Sequence, residues 1–185
     1  MPICNPGRLG LLAAAVLALA GCGGEDTPAA SGPQIIAAPP PPEALPDCAA
    51  IATALGDLVE GLVVVDEAGT RQQSPENYDL SCVWRGSEDG AALGTFIIVD
   101  QVPLTATDMQ RAGMYVEDPR VSPLGGFVAI PDGLLDGNAP LGPVGPQVIV
   151  GPVTVTLASN GRGRAAEYTL DQAVDAAVAI HRLMR

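Results

Sequence analysis

The chain has 185 residues, of which 21 are acidic and nine basic, so its formal net charge is −12. All nine basic residues are arginine, and only six residues are aromatic. Nucleic-acid binding needs basic patches and stacking rings, so this composition excludes that class of function. The absence of lysine excludes Schiff-base chemistry and a P-loop lysine. The length is typical of one domain.

The beginning of the chain predicts a signal peptide over residues 1–21. Arg8 precedes an apolar run from Leu9 to Ala20. In a helix this run would span about 18 Å, whereas the bilayer core is ~30 Å thick. The small residues Ala20 and Gly21, at the end of this run, mark the position at which a signal peptidase is expected to cleave. The run is therefore too short to be a membrane-spanning helix.

Cys22 is the predicted lipidation site. Leu19-Ala20-Gly21-Cys22 resembles a bacterial lipobox, whose cysteine becomes the lipidated first residue of the mature chain. The alternative is an ordinary secretory signal followed by a chance cysteine. The position of Cys22 at the expected cleavage point favours lipidation. A diacylglycerol on this thiol supplies the two acyl chains that stable anchoring requires. We expect an extracytoplasmic protein held at the outer face of the cell membrane by this lipid.

Residues 22–46 are predicted to be a disordered tether between the anchor and the folded domain. They are rich in Pro, Ala and Gly, and such a composition buries too little apolar surface to offset its ordering entropy. The run Pro39 to Pro42 predicts a stiff polyproline II stretch. Residues 47–185 then form the folded domain.

Cys48 and Cys82 are predicted to form a disulfide. Cys4 is lost with the signal peptide and Cys22 is taken by lipid, which leaves an even pair in an oxidising compartment. The alternative is two buried free thiols. A bridge between positions 34 residues apart would stabilise the fold by ~3.8 kcal/mol in the chain-entropy model.

The first half of the domain predicts a helix followed by strands. Asp47 is placed to cap a helix in which Cys48, Ile51 and Leu55 share one face, and Gly56 is placed to end it. Residues 62–65 predict a short buried strand, and residues 68–77 a polar loop. The alternation in 80–85 places Leu80, Cys82 and Trp84 on one face of a strand. Glu88-Asp89-Gly90 predicts a turn into strand 93–99, which is apolar on both faces and therefore expected to be central.

The second half predicts shorter elements and a final helix. A short helix is expected within 105–116, a strand at 127–130, a Gly/Pro/Asp-rich loop at 131–147, and strands at 148–150 and 153–157. In the last of these strands, Thr154 and Thr156 alternate with apolar residues, as in a sheet with one face open to water. Thr169 and Gln172 fit a capping box for a helix with an apolar stripe.

The predicted fold class is α+β, with an antiparallel-rich sheet packed by an N-terminal and a C-terminal helix. Cys48 lies in the first turn of the first helix, and Cys82 lies on the apolar face of a strand. The disulfide would therefore join this helix to the sheet, with Trp84 packed nearby.

Several of these features together resemble those of a known protein family. The capped helix from Cys48-Ala49-Ala50-Ile51 to Leu55-Gly56, the later Cys82-Val83-Trp84 and the Ala-rich C-terminal helix are similar to those of a family of small actinobacterial lipoproteins of unknown function. The resemblance implies a lipid anchor, a tether and a paired-cysteine α+β domain. It implies no catalytic residues, and the Gly/Pro loop at 132–147 departs from it. A weaker resemblance is to the external sensor domains of envelope Ser/Thr kinases, although the sequence carries no kinase and no transmembrane helix.

The titratable residues predict neither a catalytic centre nor a metal site or cofactor. His181, the only histidine, is expected to be structural, in the last helical turn where a cation is favoured. There is no Gly-x-Ser-x-Gly motif. The segment 132–138 is rich in oxygen ligands but lacks the alternating carboxylates of a calcium loop. Glu88-Asp89 and Glu117-Asp118 are expected to be turn or surface acids.

Two functions from different classes are consistent with these observations. The first is a non-enzymatic binding or interaction module, with a small apolar ligand or an envelope protein as its partner in a groove between sheet and helix. The second is a cryptic hydrolase that uses carboxylates on an envelope substrate. It requires a cleft with at least two acids of perturbed pKa.

Overall fold

The computed structural model of the protein describes residues 38–185. The predicted signal peptide, Cys22 and the tether as far as residue 37 lie outside the described residues. No helix within residues 38–185 is long and apolar enough to cross a membrane.

The described chain forms one sheet of eight antiparallel strands with helices packed against it, which confirms the predicted α+β class. The strands are β1 (Val63–Val64), β2 (Thr70–Gln73), β3 (Asn77–Arg85), β4 (Ala92–Asp100), β5 (Tyr115–Val116), β6 (Phe127–Ala129), β7 (Gln147–Val150) and β8 (Val153–Ser159). The α-helices are α1 (Cys48–Leu55), α2 (Ala106–Arg111) and α3 (Leu170–Leu183). The strand order is β1-β3-β4-β8-β7-β6-β5, and β2 pairs with the N-terminal half of β3.

The predicted first and last helices lie together on one face of the sheet. Asp47 caps α1 by accepting a hydrogen bond from the Ala50 amide, and α1 ends at Gly56, whose φ is +54°. Both hydrogen bonds of the predicted capping box are present at the start of α3. The helices bury their apolar stripes against the inward-facing side chains of β3, β4, β7 and β8, and this layer is the main core.

The disulfide is formed as predicted and joins α1 to β3. The Cα atoms of Cys48 and Cys82 are 5.7 Å apart. Leu80, Cys82 and Trp84 all face the helices and are buried. Because the alternation along β3 places these three residues on one face, the bridge lies inside the core.

The first edge of the sheet differs from the prediction. The strand expected at 62–65 is present, but Val63 and Val65 are 66% and 57% exposed, so the expectation that it is buried is wrong. The expected loop at 68–77 contains β2, all four residues of which are exposed. Edge strands are held by backbone hydrogen bonds to a single neighbour, so they need no apolar pattern.

The folded unit begins a few residues before Asp47, where the tether was expected to end. Leu45 is buried in the core, and Pro42–Ala44 forms a turn of 3₁₀ helix. Arg71 of β2 donates hydrogen bonds to the carbonyl oxygens of Pro42 and Pro46, at 3.2 and 3.5 Å. The last residues of the predicted tether are therefore attached to the edge of the sheet.

Strand β4 is central, as predicted, but it is buried on one face only. Leu93, Ile97 and Val99 point towards the helices and are inaccessible to solvent. Phe96 and Ile98 point to the other side and are 38% and 37% exposed. The strand is therefore central but open to water on its second face, because no described helix packs on this part of it.

His181 is structural, but it is not the cation expected at the end of a helix. Its side chain is fully buried, and its Nε2 lies 2.9 Å from the carbonyl oxygen of Val148 in β7. Burial lowers the pKa of His181 to about 4. The imidazole is therefore neutral at pH 7, and desolvation outweighs the attraction of the helix dipole.

Candidate ligand-binding groove

The face of the sheet opposite α1 and α3 is the candidate site. In the ladder, Asp79 of β3 lies opposite Ile98, and Ser81 lies opposite Phe96. On the other side of β4, Phe96 lies opposite Thr156 of β8. Directly opposed residues in antiparallel strands point to the same face, so these side chains form one continuous surface.

A second, smaller core covers only one end of this face. Phe127, Ala129 and Ile149 are buried there. The partly buried residues that pack on them are Ala106, Met109, Met114 and Tyr115. Since this second core lies on β5, β6 and β7, it leaves Phe96 and Ile98 of β4 exposed to solvent.

The segment 143–145 forms one wall of the resulting groove. The carbonyl oxygens on either side of it are held by β8: Gly142 accepts from the Ser159 amide at 2.9 Å, and Pro146 accepts from Thr156 Oγ1 at 2.8 Å. A Cβ atom at Gly145 would collide with the carbonyl oxygen of Leu157. Glycine thus lets this segment, part of the predicted 131–147 loop, run directly beside β8.

The floor of the groove is apolar. Its centre is formed by Phe96 and Ile98, and Val144 of the wall is 69% exposed. A Cβ atom at Gly94 would lie 3.1 Å from Cε2 of Phe96, so the absence of a side chain at Gly94 leaves room for the ring. The groove has a volume of about 390 Å³.

The polar residues of the groove are few. They are Asn77, Asp79, Gln147 and Thr156. Among the described residues that line it, Asp79 carries the only charge. Its half-buried carboxylate forms no hydrogen bond or ion pair with another described residue. Asp100 lies opposite Asn77 in the ladder, at the same end of the groove.

The residues singled out from the sequence lie elsewhere. Cys48 and Cys82 are in the core on the opposite side of the sheet, and Cys22 lies outside the described residues. His181 is enclosed between α3 and β7. In residues 38–185, including the oxygen-rich segment 132–138, no group of three His, Cys, Asp or Glu side chains is arranged to hold a metal ion.

Asp118 is a turn acid, as one of the two expectations for Glu117-Asp118 has it, because its Oδ1 accepts a hydrogen bond from the Arg120 amide two residues on, but it is not a surface acid. Asp118 is only 4% exposed, and its carboxylate accepts two further hydrogen bonds from the guanidinium of Arg120. This contact holds the pKa of Asp118 below its ordinary value. Asp89 is a turn acid as expected, and hydrogen bonds from the backbone amides of Arg164 and Ala91 lower its pKa.

A shallower depression of about 290 Å³ lies between α1 and α3. The carboxylates of Asp57 and Asp175 line it, and Asp175 is 3.2 Å from Arg120 Nη1. Two acids also border each of two smaller depressions, Asp57 with Glu167 in one and Glu88 with Asp89 in the other.

The groove residues were missed in the sequence because strand 93–99 carries apolar side chains on both of its faces. A usable signal was present in β8, where the threonines predict an open face. Comparison of the chain with protein families, with curated proteins and with solved structures finds no match.

Proposed function

We propose that this protein is a membrane-anchored cell-envelope lipoprotein whose domain is a non-enzymatic binding module for a small ligand with an apolar body. The observation that carries the proposal is the uncovered groove with Phe96, Ile98 and Val144 on its surface. Exposed apolar side chains gathered around one concave site are typical of ligand-binding grooves.

The dimensions of the groove favour a small molecule over a protein partner. A volume of about 390 Å³ lies within the roughly 300–1,000 Å³ of small-molecule sites. A stable protein interface buries about 800 Å² on each partner, which is much more than this groove offers. The groove lies between the sheet and a loop, whereas the sequence favoured one between the sheet and a helix.

The envelope location rests on the N-terminal sequence. The apolar run, the lipobox-like Leu19-Ala20-Gly21-Cys22 and the tether support a lipid on Cys22, and the disulfide is consistent with an oxidising compartment. The resemblance to small actinobacterial lipoproteins supports the same assignment. The lipid on Cys22 is then the protein's contact with the membrane.

The anchor is tested by Cys22→Ser in the full chain. We expect the wild-type protein in the membrane fraction with the mass of a diacylglycerol adduct, and the variant free of the membrane. A wild-type protein cleaved before Cys22 but carrying no lipid would contradict the proposal.

The binding function is tested by native mass spectrometry of the full chain carrying Cys22→Ser, purified from the envelope. We expect a non-covalent adduct of a few hundred daltons, which is lost when Ile98→Asp places a charge on the groove floor. The matched control is Leu183→Asp on the exposed side of α3. An adduct that survives Ile98→Asp would show that the groove is not its site.

The alternative function remains a carboxylate-dependent hydrolase, with Asp57 and Asp175 as the acids to test. Both carboxylates border the depression between α1 and α3. Turnover of an envelope substrate that is abolished by Asp57→Asn or Asp175→Asn would establish it.

A further inference from the structure

We propose that the groove selects amphipathic cations, with a positively charged head beside Asp79 and an apolar body across Ile98 and Phe96. This inference rests on the proposed binding function and names the chemical class of the ligand. The groove has a charged end and an apolar end, and each end is built from side chains on adjacent strands.

The charged end is defined by the position of Asp79 in β3. Its neighbours along the strand, Tyr78 and Leu80, are buried on the helix side, so Asp79 points to the open face. It lies directly opposite Ile98, at the edge of the apolar floor. A half-buried carboxylate with no partner among the described residues is suited to bind a cation.

The surroundings of Asp79 strengthen its preference for positive charge. Asp100 lies opposite Asn77, two ladder positions beyond Ile98. No arginine is among the described residues that line the groove. Arg71 of the neighbouring β2 is bonded to the carbonyl oxygens of Pro42 and Pro46. The net charge of −12 adds a field that attracts cations and repels anions.

The apolar end accommodates the body of the ligand. Phe96 and Ile98 form the floor, Ala158 extends it along β8, and Val144 stands at the wall. A flexible or planar apolar group that lies across these side chains would remove them from water. An anionic amphiphile would bury the same surface but place its head beside Asp79, so the groove discriminates by charge.

The test compares three probes with the same alkyl chain: dodecyltrimethylammonium, dodecyl maltoside and dodecyl sulfate. Each is titrated by calorimetry below its micelle-forming concentration into the full chain carrying Cys22→Ser. We expect the cation to bind at least about tenfold more tightly than the neutral probe, and the anion to bind most weakly. A tenfold preference corresponds to about 1.4 kcal/mol, the scale of one charge-assisted contact.

Asp79→Asn is the variant that isolates the head-group contact. We expect it to reduce the affinity for the cation about tenfold and to leave the affinity for the maltoside unchanged. The matched control is Glu167→Gln, which removes an exposed acid near the start of α3, away from the groove. It should leave all three affinities unchanged.

The outcomes separate the two proposals. If the three probes bind with equal affinity and Ile98→Asp abolishes their binding, the groove binds apolar molecules but the charge selectivity is overturned. If no probe binds to the wild-type protein, the charge selectivity is overturned, and the native mass spectrum alone then decides the proposed binding function. If Asp79→Asn fails to fold, the head-group comparison in the wild-type protein still decides the selectivity.

Discussion

The guanidinium of Arg120 donates two hydrogen bonds to the buried carboxylate of Asp118, with Nε 2.9 Å from Oδ1 and Nη2 2.7 Å from Oδ2. The remaining nitrogen, Nη1, lies 2.8 Å from Asp171 and 3.2 Å from Asp175, both in the first half of α3. One guanidinium thus joins the segment after β5 to the helix that covers the other face of the sheet.

Arg120→Ala should destabilise the protein by about 3 kcal/mol, because it leaves the Asp118 carboxylate buried without its partner. The free energy of unfolding in urea at pH 7 measures this loss. Arg111→Ala is the matched control, since Arg111 makes an exposed pair with Asp108 in α2. It should change the stability by less than about 1 kcal/mol. An equal loss of unfolding free energy in the two variants would show that the buried pair stabilises the protein no more than the exposed pair does.

The neutral, buried His181 should make the protein less stable as the pH falls from about 6.5 to about 4. The pKa of His181 is lowered from 6.5 to about 4 in the folded state. Below pH 6.5 the unfolded chain binds a proton that the folded protein excludes, so stability declines until the pH reaches about 4. The full loss is about 3 kcal/mol.

This pH dependence is measured by urea unfolding at pH 7.0 and pH 4.5, with NMR to follow the His181 ring directly. His181→Gln removes the titrating group and should flatten the difference between the two pH values, even if it lowers stability at both. The ionised Asp118 carboxylate also stabilises the fold, but its effect appears at lower pH. Its pKa is lowered in the folded protein, so this stabilisation is lost as the pH falls below about 4. An unchanged pH profile in His181→Gln would contradict the assignment.

Removing the disulfide by Cys48→Ala together with Cys82→Ala should destabilise the protein by about 4 kcal/mol. The bridge constrains a 34-residue separation in the unfolded chain and ties α1 to β3. Chemical denaturation of the oxidised and double-variant proteins gives the difference. The intact mass of the oxidised protein should be two hydrogens below that of its reduced form. If Cys48 and Cys82 react with an alkylating agent without prior reduction, the predicted disulfide is absent.

Gly145→Ala should displace the wall of the groove and lower stability by about 2 kcal/mol, because the new Cβ atom would collide with the Leu157 carbonyl oxygen. Gly142→Ala is the matched control in the same segment, where a Cβ atom has no other atom within 4 Å. Thermal unfolding and dodecyltrimethylammonium titration measure the two effects. If both variants bind the probe like the wild type, the wall has no part in binding.

Much of the helix side of the fold could be read from local patterns. The capping residues Asp47 and Thr169 and the spacing of apolar residues along α1 and α3 depend on neighbours a few positions away. The alternation of Leu80, Cys82 and Trp84 likewise identifies the buried face of β3 without knowledge of its partners. The disulfide followed from these placements and from cysteine counting.

The groove could not be predicted from local sequence patterns. It exists only because no other described element packs on the second face of β4. Phe96 and Ile98 are apolar residues in a central strand, a pattern that fits burial on both faces as well as exposure on one. Thr156, which is half-buried, lies opposite Phe96 in the ladder, so this threonine of β8 marks the open face of β4 as well. That signal becomes usable only when the pairing of β4 with β8 is known.

The sequence by itself determined the α+β class, the disulfide and the ends of the main helices, because each arises from residues close in the chain or from a single cysteine pair. Only the tertiary structure decided which face of the sheet stays open, how segment 143–145 borders it, and that Asp118 is buried. These features depend on contacts between distant segments: Arg120 reaches Asp171 across 51 positions, and β4 meets β8 more than 50 residues later. Local patterns determine which face of an element is apolar, whereas only long-range packing decides which of those faces is covered.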